Sequence, residues 1–308
     1  MAAIRARAFP RAGLVGNPSD LYGGRGLGFA FDAFRAEVRA EPAAADELPS
    51  PLLRAAHEVL AGEPGAAALP PLRAEFRSDV PRQAGLAGSS AIVLAALRAF
   101  AVLGGLKIPP GRLAELAWRA EQELLGIRAG PLDRLVQAHG GLLAIDFADP
   151  FAPTAVERLD PALLPPLGIA WDPVPGRPSG DVHEQVWRRW RDGDPEVRRL
   201  VERFPALADL ARAALLSGDH AALRACIDRN FELRAALFPI ADRDRRMIDL
   251  ARAAGAAAKF CGSGGAVLVA PVAAADLERL AVRFRSEGFG WIEPRVAGGV
   301  EWVREEPR

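Results

Sequence analysis

The chain is short of cysteine, lysine, methionine and tyrosine, and it has no net charge. Two cysteines, Cys226 and Cys261, in 308 residues cannot build a disulfide framework, which suits a reducing compartment. Histidine is scarce as well. His57, His139, His183 and His220 stand apart, none spaced with another His or a Cys as zinc ligands are, so no structural zinc is expected. Lys+Arg and Asp+Glu balance at 39 each, so no net field draws the chain to nucleic acid or to an acidic membrane. No apolar run reaches the roughly eighteen residues that span a bilayer. The opening stretch MAAIRARAFPRAGLVG lacks the continuous apolar segment of a secretion signal. The expected location is therefore the cytoplasm. Lys107 and Lys259 are the only lysines beside abundant Ala and Arg, a bias of GC-rich coding rather than of function.

What is present is apolar. Hydrophobic residues make up 50% of the chain, enough for a sizeable core and two domains. AGLVGN is a short apolar run stopped by Asn17-Pro18, and GLGFAFDAFRAEV alternates as one strand; PSDLYGGRG turns between them. Leu52 to Ala61 reads as a short helix and LRAEFRSDV as a further strand. PRQAGLAGSSAIVLAAL runs from a small-residue loop into an apolar helix that Gly104-Gly105 ends. PPGRLAELAWRAEQELLG is helical by period, with Leu113, Leu116, Ala117, Ala120 and Leu124 on one stripe. GGLLAIDF is a strand, and Leu167 to Trp171 is a buried strand inside a Pro-rich stretch. A domain boundary falls at the start of that stretch, dividing the chain into 1–160 and 161–308. From Asp181 to Ala254 helices dominate. AAAKFCGSGGAVLVA then reads as strand, glycine turn and strand, followed by a helix near Ala273–Glu287 and a strand near Trp291.

Four stretches carry candidate chemistry, and each has a plainer structural reading. In the loop Pro81–Ala91 the glycines allow close backbone approach to a ligand, and the helix that follows offers free N–H groups and a positive dipole end to a phosphate. The plainer reading is a turn with Ser89 as N-cap. It is neither a Walker A loop nor a Rossmann fingerprint, since their glycine and lysine spacings are absent. In RAGLVGNPSDLYGG, Asp20 sits just past a strand end, where ligand contacts are common, or closes an Asx-turn. In AEQELLGIRAGPLDR, Asp133 begins an apolar segment, either as a helix cap or as a carboxylate able to deprotonate a hydroxyl. Glu121 and Glu123 lie nearby, and helix geometry does not choose between them as a metal ligand. KFCGSGGA holds more glycine than a simple hairpin turn needs.

Together these stretches resemble the GHMP small-molecule kinases. PRQAGLAGSSA is similar to their P-x-x-x-G-L-x-S-S-A phosphate motif. RAGLVGNPSDLYGG is similar to the N-terminal substrate motif best known as R-V-N-L-I-G-E-H-T-D-Y. GPLDR resembles the G-x-x-D-Q that carries their catalytic aspartate, and KFCGSGG resembles K-x-T-G-x-G-G. The four occur in family order from Arg11 to Ala266. Within the family, GLVGNPSD, LGIRAGPLDR, GGLLAIDF, LLPPL, WRRWRDGD and AAAKFCGSGGAV resemble the plant-type glucuronokinase branch. Asn17-Pro18 replaces Glu-His and Arg134 replaces Gln, two departures that match that branch and point away from galactose. Cys261 stands where Thr is common, with no base paired to it in sequence that would make it a nucleophile.

The resemblance implies a two-domain α+β fold. Its N-terminal half would be a βαβ domain with the phosphate loop, and its C-terminal half ferredoxin-like with inserted helices. It implies ATP held over Pro81, Gly85, Leu86, Ala87, Gly88, Ser89, Ser90 and Ala91, and Mg²⁺ held by Ser90 and Glu121. Asp133 would be the catalytic carboxylate with Arg11 beside it. Asn17, Asp20, Gly130, Lys259, Gly262, Ser263 and Gly264 would contact the substrate. The implied activity is an ATP- and Mg-dependent sugar 1-kinase converting D-glucuronate to glucuronate 1-phosphate. The implied partner is a small sugar acid, with neither nucleic acid nor membrane, as a monomer or a homodimer. The alternatives are a kinase for another sugar or small alcohol, or a catalytically dead sugar or ATP sensor. Retention of Ser90, Glu121 and Asp133 favours an enzyme. A uronate carboxylate in a cleft needs a charge partner. Arg11, Arg82, Arg128 and Arg134 all border the motifs, and each could serve or be a surface residue.

Overall fold

In the stretch IRARA, small apolar and charged residues alternate, and this sets strand β1 (Ile4–Ala8). Ile4, Ala6 and Ala8 are buried, while Arg5 and Arg7 turn outward. A computed structural model describes residues 2–66, 69–127, 129–175 and 179–306. Strand β1 lies in an antiparallel sheet with β4 (Ala36–Pro42), β5 (Leu72–Ser78) and the last strand, β12 (Glu301–Arg304), in the order β12-β1-β4-β5. A second antiparallel sheet joins β2 (Arg11–Val15), β3 (Arg25–Ala30), β6 (Leu142–Asp146) and β7 (Val156–Leu159) in that order. GLGFAFDAFRAEV is therefore two strands and not the single one its alternation suggests. After β3 the chain bends at Asp32–Arg35 and crosses to the first sheet, with the Arg35 N–H held by Asp79 Oδ1 at 2.6 Å.

Helix α2 (Gly88–Leu103) is apolar on nearly every side and is accordingly buried. It packs on β1 and β4 and against α1 (Pro51–Ala61), α3 (Pro110–Arg119) and α4 (Leu132–His139). The β-α-β order around the phosphate loop is carried by β5, α2 and, after α3 and α4, β6, whose two strands lie in different sheets. Helix α3 stops at Arg119 and continues as one π-helical turn, Ala120–Leu124, with the Leu125 N–H reaching back to Ala120 O at 3.2 Å. The extra residue in that turn rotates the stripe: Leu113, Leu116, Ala117 and Ala120 are buried, but Leu124 is 39% exposed.

The third sheet contains β8 (Gly168–Trp171), β9 (Ala257–Phe260), β10 (Ala266–Ala270) and β11 (Gly290–Ile292) in the order β11-β8-β10-β9. That is the strand order of a ferredoxin-like unit. Helices α5 (Ser179–Arg191), α6 (Pro195–Val201), α7 (Arg203–Ser217), α8 (His220–Leu237) and α9 (Asp242–Ala253) are inserted between its first two strands. Helix α10 (Asp276–Ser286) precedes β11. Helices α7 and α8 also pack on β2, and one apolar cluster joins Ala12, Leu14 and Leu27 to Phe204, Ala208, Leu223 and Leu268. The two halves therefore share a core, and their loops converge at its edge.

Candidate active site

The phosphate-type loop leads from β5 into α2. Gln83, Gly85 and Ala87 take positive φ, at 54°, 68° and 63°. The helix begins at Gly88 after Ala87 and has no side-chain cap among the described residues. Ser89 is thus the second helical residue and not the N-cap, and the helix start keeps N–H groups and a positive dipole end for an anion. Leu86 and Ala91 are buried beneath the loop, while Pro81 stays half-buried at its entry. A Cβ on Gly85 would fall 2.4 Å from Gly264 O, and one on Gly262 would fall 2.3 Å from Gly85 O. A Cβ on Gly265 would fall 2.8 Å from Ala84 Cα. The glycines of KFCGSGG thus let the β9–β10 loop interlock with the phosphate-type loop, backbone against backbone.

One turn into α2, Ser90 Oγ donates to Glu121, 3.0 Å from Oε2 and 3.2 Å from Oε1, and Ser89 Oγ lies 3.3 Å from Oε1. Glu121 is fully buried in the π-helical turn and is also paired with the Arg134 guanidinium. Glu123 points to the surface, 3.2 Å from Arg119. Of the two glutamates, the fold brings Glu121 to Ser90. Among the described residues, no group of three or more His, Cys, Asp or Glu gathers as a metal cage. One carboxylate and a serine hydroxyl beside an anion site fit Mg²⁺, which keeps waters and takes its remaining oxygens from phosphate.

Arg134 is buried and donates to Gly130 O at 2.9 Å. Burial opposes its charge, but Glu121, Asp133 and Asp20 outweigh that cost and hold its pKa above the ordinary arginine value. Asp133 lies in the first turn of α4 behind Pro131, which occupies the cap position, so the helix-cap reading of Asp133 does not hold. Its Oδ1 accepts from Arg11 Nε at 2.6 Å, and Arg134 Nη1 stands 3.8 Å from Oδ2. Arg11 is itself buried, and its Nη1 donates to Gly85 O at 2.7 Å and to Cys261 O at 3.2 Å. One side chain thereby ties Asp133 to both glycine loops. The Cys261 thiol is pushed up to about 12 by burial, the state of an inert packing residue.

Asp20 shares this pocket. A Cβ on Gly130 would fall 2.0 Å from Asp20 Oδ2, so the glycine makes room for the carboxylate. Burial pushes the Asp20 carboxyl up to about 6, and the neighbouring Asp133 charge adds to the rise. Arg11, the Leu132 N–H and Arg134 pull the other way. The pocket is lined by Arg11, Asn17, Asp20, Gly130, Asp133, Gly262 and Ser263, together with Pro18, Leu21, Ala129, Leu132 and Arg234. Asn230 fixes the Asn17 loop, accepting from Gly16 N–H at 2.6 Å and donating to Asn17 O at 3.0 Å. Gly264 lies behind the pocket against Asp244 and Gly85.

Lys259 does not line the pocket. It is buried beneath it, with Nζ donating to Gly13 O at 2.7 Å and Phe260 O at 2.6 Å, and burial lowers its pKa to about 7. There it acts as a strut between β2 and β9. Of the four arginines that border the motifs, Arg11 and Arg134 are committed to partners, and Arg82 is exposed. Arg128 lies outside the described residues. Arg234 belongs to none of the motifs, yet it lines the pocket. Its signal was a cation on the apolar face of NFELRAALF, four residues after Asn230 and three before Leu237, all buried.

An anion-receptive helix start with a hard-oxygen donor pair, joined through Arg11 to a pocket that holds an arginine-held carboxylate, supplies the parts that phosphoryl transfer to a small hydroxyl compound uses. The family model described as GHMP kinases N terminal domain matches residues 51–141, and that of GHMP kinases C terminal matches residues 211–288. Glucuronokinase 1 of Arabidopsis thaliana is 34% identical, over 96% of this chain and 93% of that protein. Probable glucuronokinase 2 of the same plant is 34% identical, over 94% of this chain and 90% of that protein. The solved structure of Lactococcus lactis galactokinase complexed with galactose is 14% identical, covers 97% of this chain and 95% of that chain, and superposes with a TM-score of 0.84. The chain belongs to the GHMP kinase family and is a small-molecule kinase. No helix of the described residues is long and apolar enough to cross a membrane.

Proposed function

We propose that this kinase transfers the γ-phosphoryl group of ATP to the anomeric hydroxyl of D-glucuronate, giving glucuronate 1-phosphate and ADP, with Mg²⁺ as the required ion. The substrate assignment is supported by the likeness to two plant glucuronokinases over nearly the whole chain. The observation that carries the chemistry is Arg11, which joins Asp133 at 2.6 Å to Gly85 O at 2.7 Å and so links the hydroxyl side of the pocket to the phosphate side. In this reading Asp133 accepts the proton of the attacking hydroxyl, and Arg11 fixes its carboxylate and offsets charge as it builds. Asp20 and Asn17 orient the other sugar hydroxyls, and the free N–H groups at the start of α2 hold the phosphates. Ser90 and Glu121 would hold Mg²⁺, which when bound neutralises phosphate charge. Arg134 pairs with the buried Glu121 and positions its carboxylate. Residues 1–160 form the nucleotide half, with β12 returning to its sheet, and residues 161–308 supply the pocket wall at Gly262 and Ser263; the reaction is cytoplasmic. Turnover of ATP with D-glucuronate, D-galactose, a heptose phosphate and mevalonate tests the assignment. Glucuronate is expected to be the fastest by far. Equal rates on galactose would remove the sugar acid and leave the kinase.

A further inference from the structure

Arg234 is only 2% exposed, yet it lines the pocket that holds Asp133 and Asp20. Its Nη2 donates to Ser263 O at 2.6 Å, while Nε and Nη1 are buried with no hydrogen-bond partner among the described residues. A buried guanidinium with idle donors is costly unless something else takes them. Aromatic rings flank the group, with the Phe238 centroid at 4.6 Å and that of Phe260 at 5.3 Å, so its nitrogens remain to meet a ligand. Asp244 acts on Arg234 only through its field, and its Oδ1 accepts from the Gly265 N–H at 2.9 Å. Two further polar atoms, Asn17 Oδ1 in the pocket and Tyr22 Oη within the field of Arg234, also lack partners among the described residues. Arg11 and Arg134 already stand beside Asp133, so among the described residues Arg234 is the pocket cation left with unpaired donors.

We propose that Arg234 is the carboxylate anchor of the substrate site, gripping the carboxylate of a sugar acid and setting the preference for acids over neutral sugars. The inference rests on the sugar-acid reading and adds the residue that enforces it. The free hydrogen of Nη2, together with Nε or Nη1, completes a two-point grip on a carboxylate. The sugar is thereby oriented with its acid away from Asp133 and its reacting hydroxyl toward it. Asn17 is left to hydroxyls.

The test is steady-state kinetics of wild type, Arg234→Gln and Arg234→Lys with D-glucuronate and with its neutral amide, D-glucuronamide. Wild type is expected to prefer the acid. In Arg234→Gln the KM for glucuronate should rise about 10- to 100-fold, the loss of one charged hydrogen-bond pair. The KM values for glucuronamide and ATP should stay near wild type, and Arg234→Lys should recover part of the preference. If Arg234 only props the Ser263 carbonyl, both sugars and ATP lose together, which overturns the proposal, as does an unchanged preference. If Arg234→Gln does not fold, Arg234→Lys carries the comparison, and a full wild-type preference with unchanged KM there refutes the two-point grip. A wild type that turns over neither compound refutes the sugar-acid reading itself, a result distinct from the failure of Arg234 alone.

Discussion

Asp20→Asn should make the free protein more stable and less able to bind its sugar. In the fold the Asp20 carboxyl is raised from 3.8 to about 6, chiefly by burial and then by Asp133. A rise of about two units corresponds to ~3 kcal/mol against the ionised form. Because the folded chain holds this proton more tightly than the unfolded chain, the group favours folding at low pH, and that advantage is lost as pH rises through about 6. The penalty is absent below about pH 3, near half its size at about pH 5 and complete by about pH 8. Asn keeps an oxygen for the Leu132 N–H and removes the charge. Urea unfolding at pH 5 and pH 8 should therefore show a gain for Asp20→Asn that is about twice as large at pH 8, with ~3 kcal/mol as its upper limit. The same variant should show a raised KM for the sugar, because an acceptor for hydroxyls is lost. A gain independent of pH, or a variant less stable than wild type at pH 8, would refute the reasoning. Stability given up at a ligand site for function is a common pattern.

Asp133→Asn should lower kcat by about 10²–10⁴, the contribution of a positioned base. Its melting temperature should also fall, because the buried Arg11 loses its counter-charge at 2.6 Å; near-normal turnover in rapid-mixing assays would remove Asp133 from the chemistry. Glu121→Gln should raise the Mg²⁺ concentration needed for half-maximal activity, whereas Glu123→Gln, on the surface beside Arg119, should leave it unchanged. A Mg²⁺ titration in which the two exchange roles would contradict the donor set.

The elements legible in the sequence are those whose pattern is local. The helix after Gly88, the strand-turn-strand around KFCGSGG and the helix from Leu52 follow from composition and period. Three strands escape the sequence reading: Ile4–Ala8 alternates, but over only 5 residues, Val156–Leu159 is shorter still, and Glu301–Arg304 exists because β1 offers it an edge across almost the full chain length. GLGFAFDAFRAEV alternates without a break, and only the exchange of sheets at Asp32–Arg35 divides it. At the site, the glycine loops, Ser90, Asp20 and Asp133 were visible as motifs. That Glu121 turns inward to Ser90 and Glu123 outward depends on the π-helical turn, which periodicity does not encode. Lys259 matched its motif, yet folding put its ammonium on Gly13 O and Phe260 O beneath the pocket. Arg234 carries no motif and enters the pocket because α8 packs on β9 and presents the face shared by Asn230 and Leu237.

The proposed reaction moves a phosphoryl group to the anomeric oxygen of a sugar acid. The most direct measurement is phosphorus NMR of the product formed from ATP, Mg²⁺ and D-glucuronate by the purified chain. The expected result is a sugar phosphate resonance coupled to the anomeric proton, growing in step with ADP. A phosphorus coupled to any other sugar proton, or ADP formed without a sugar phosphate, would contradict it.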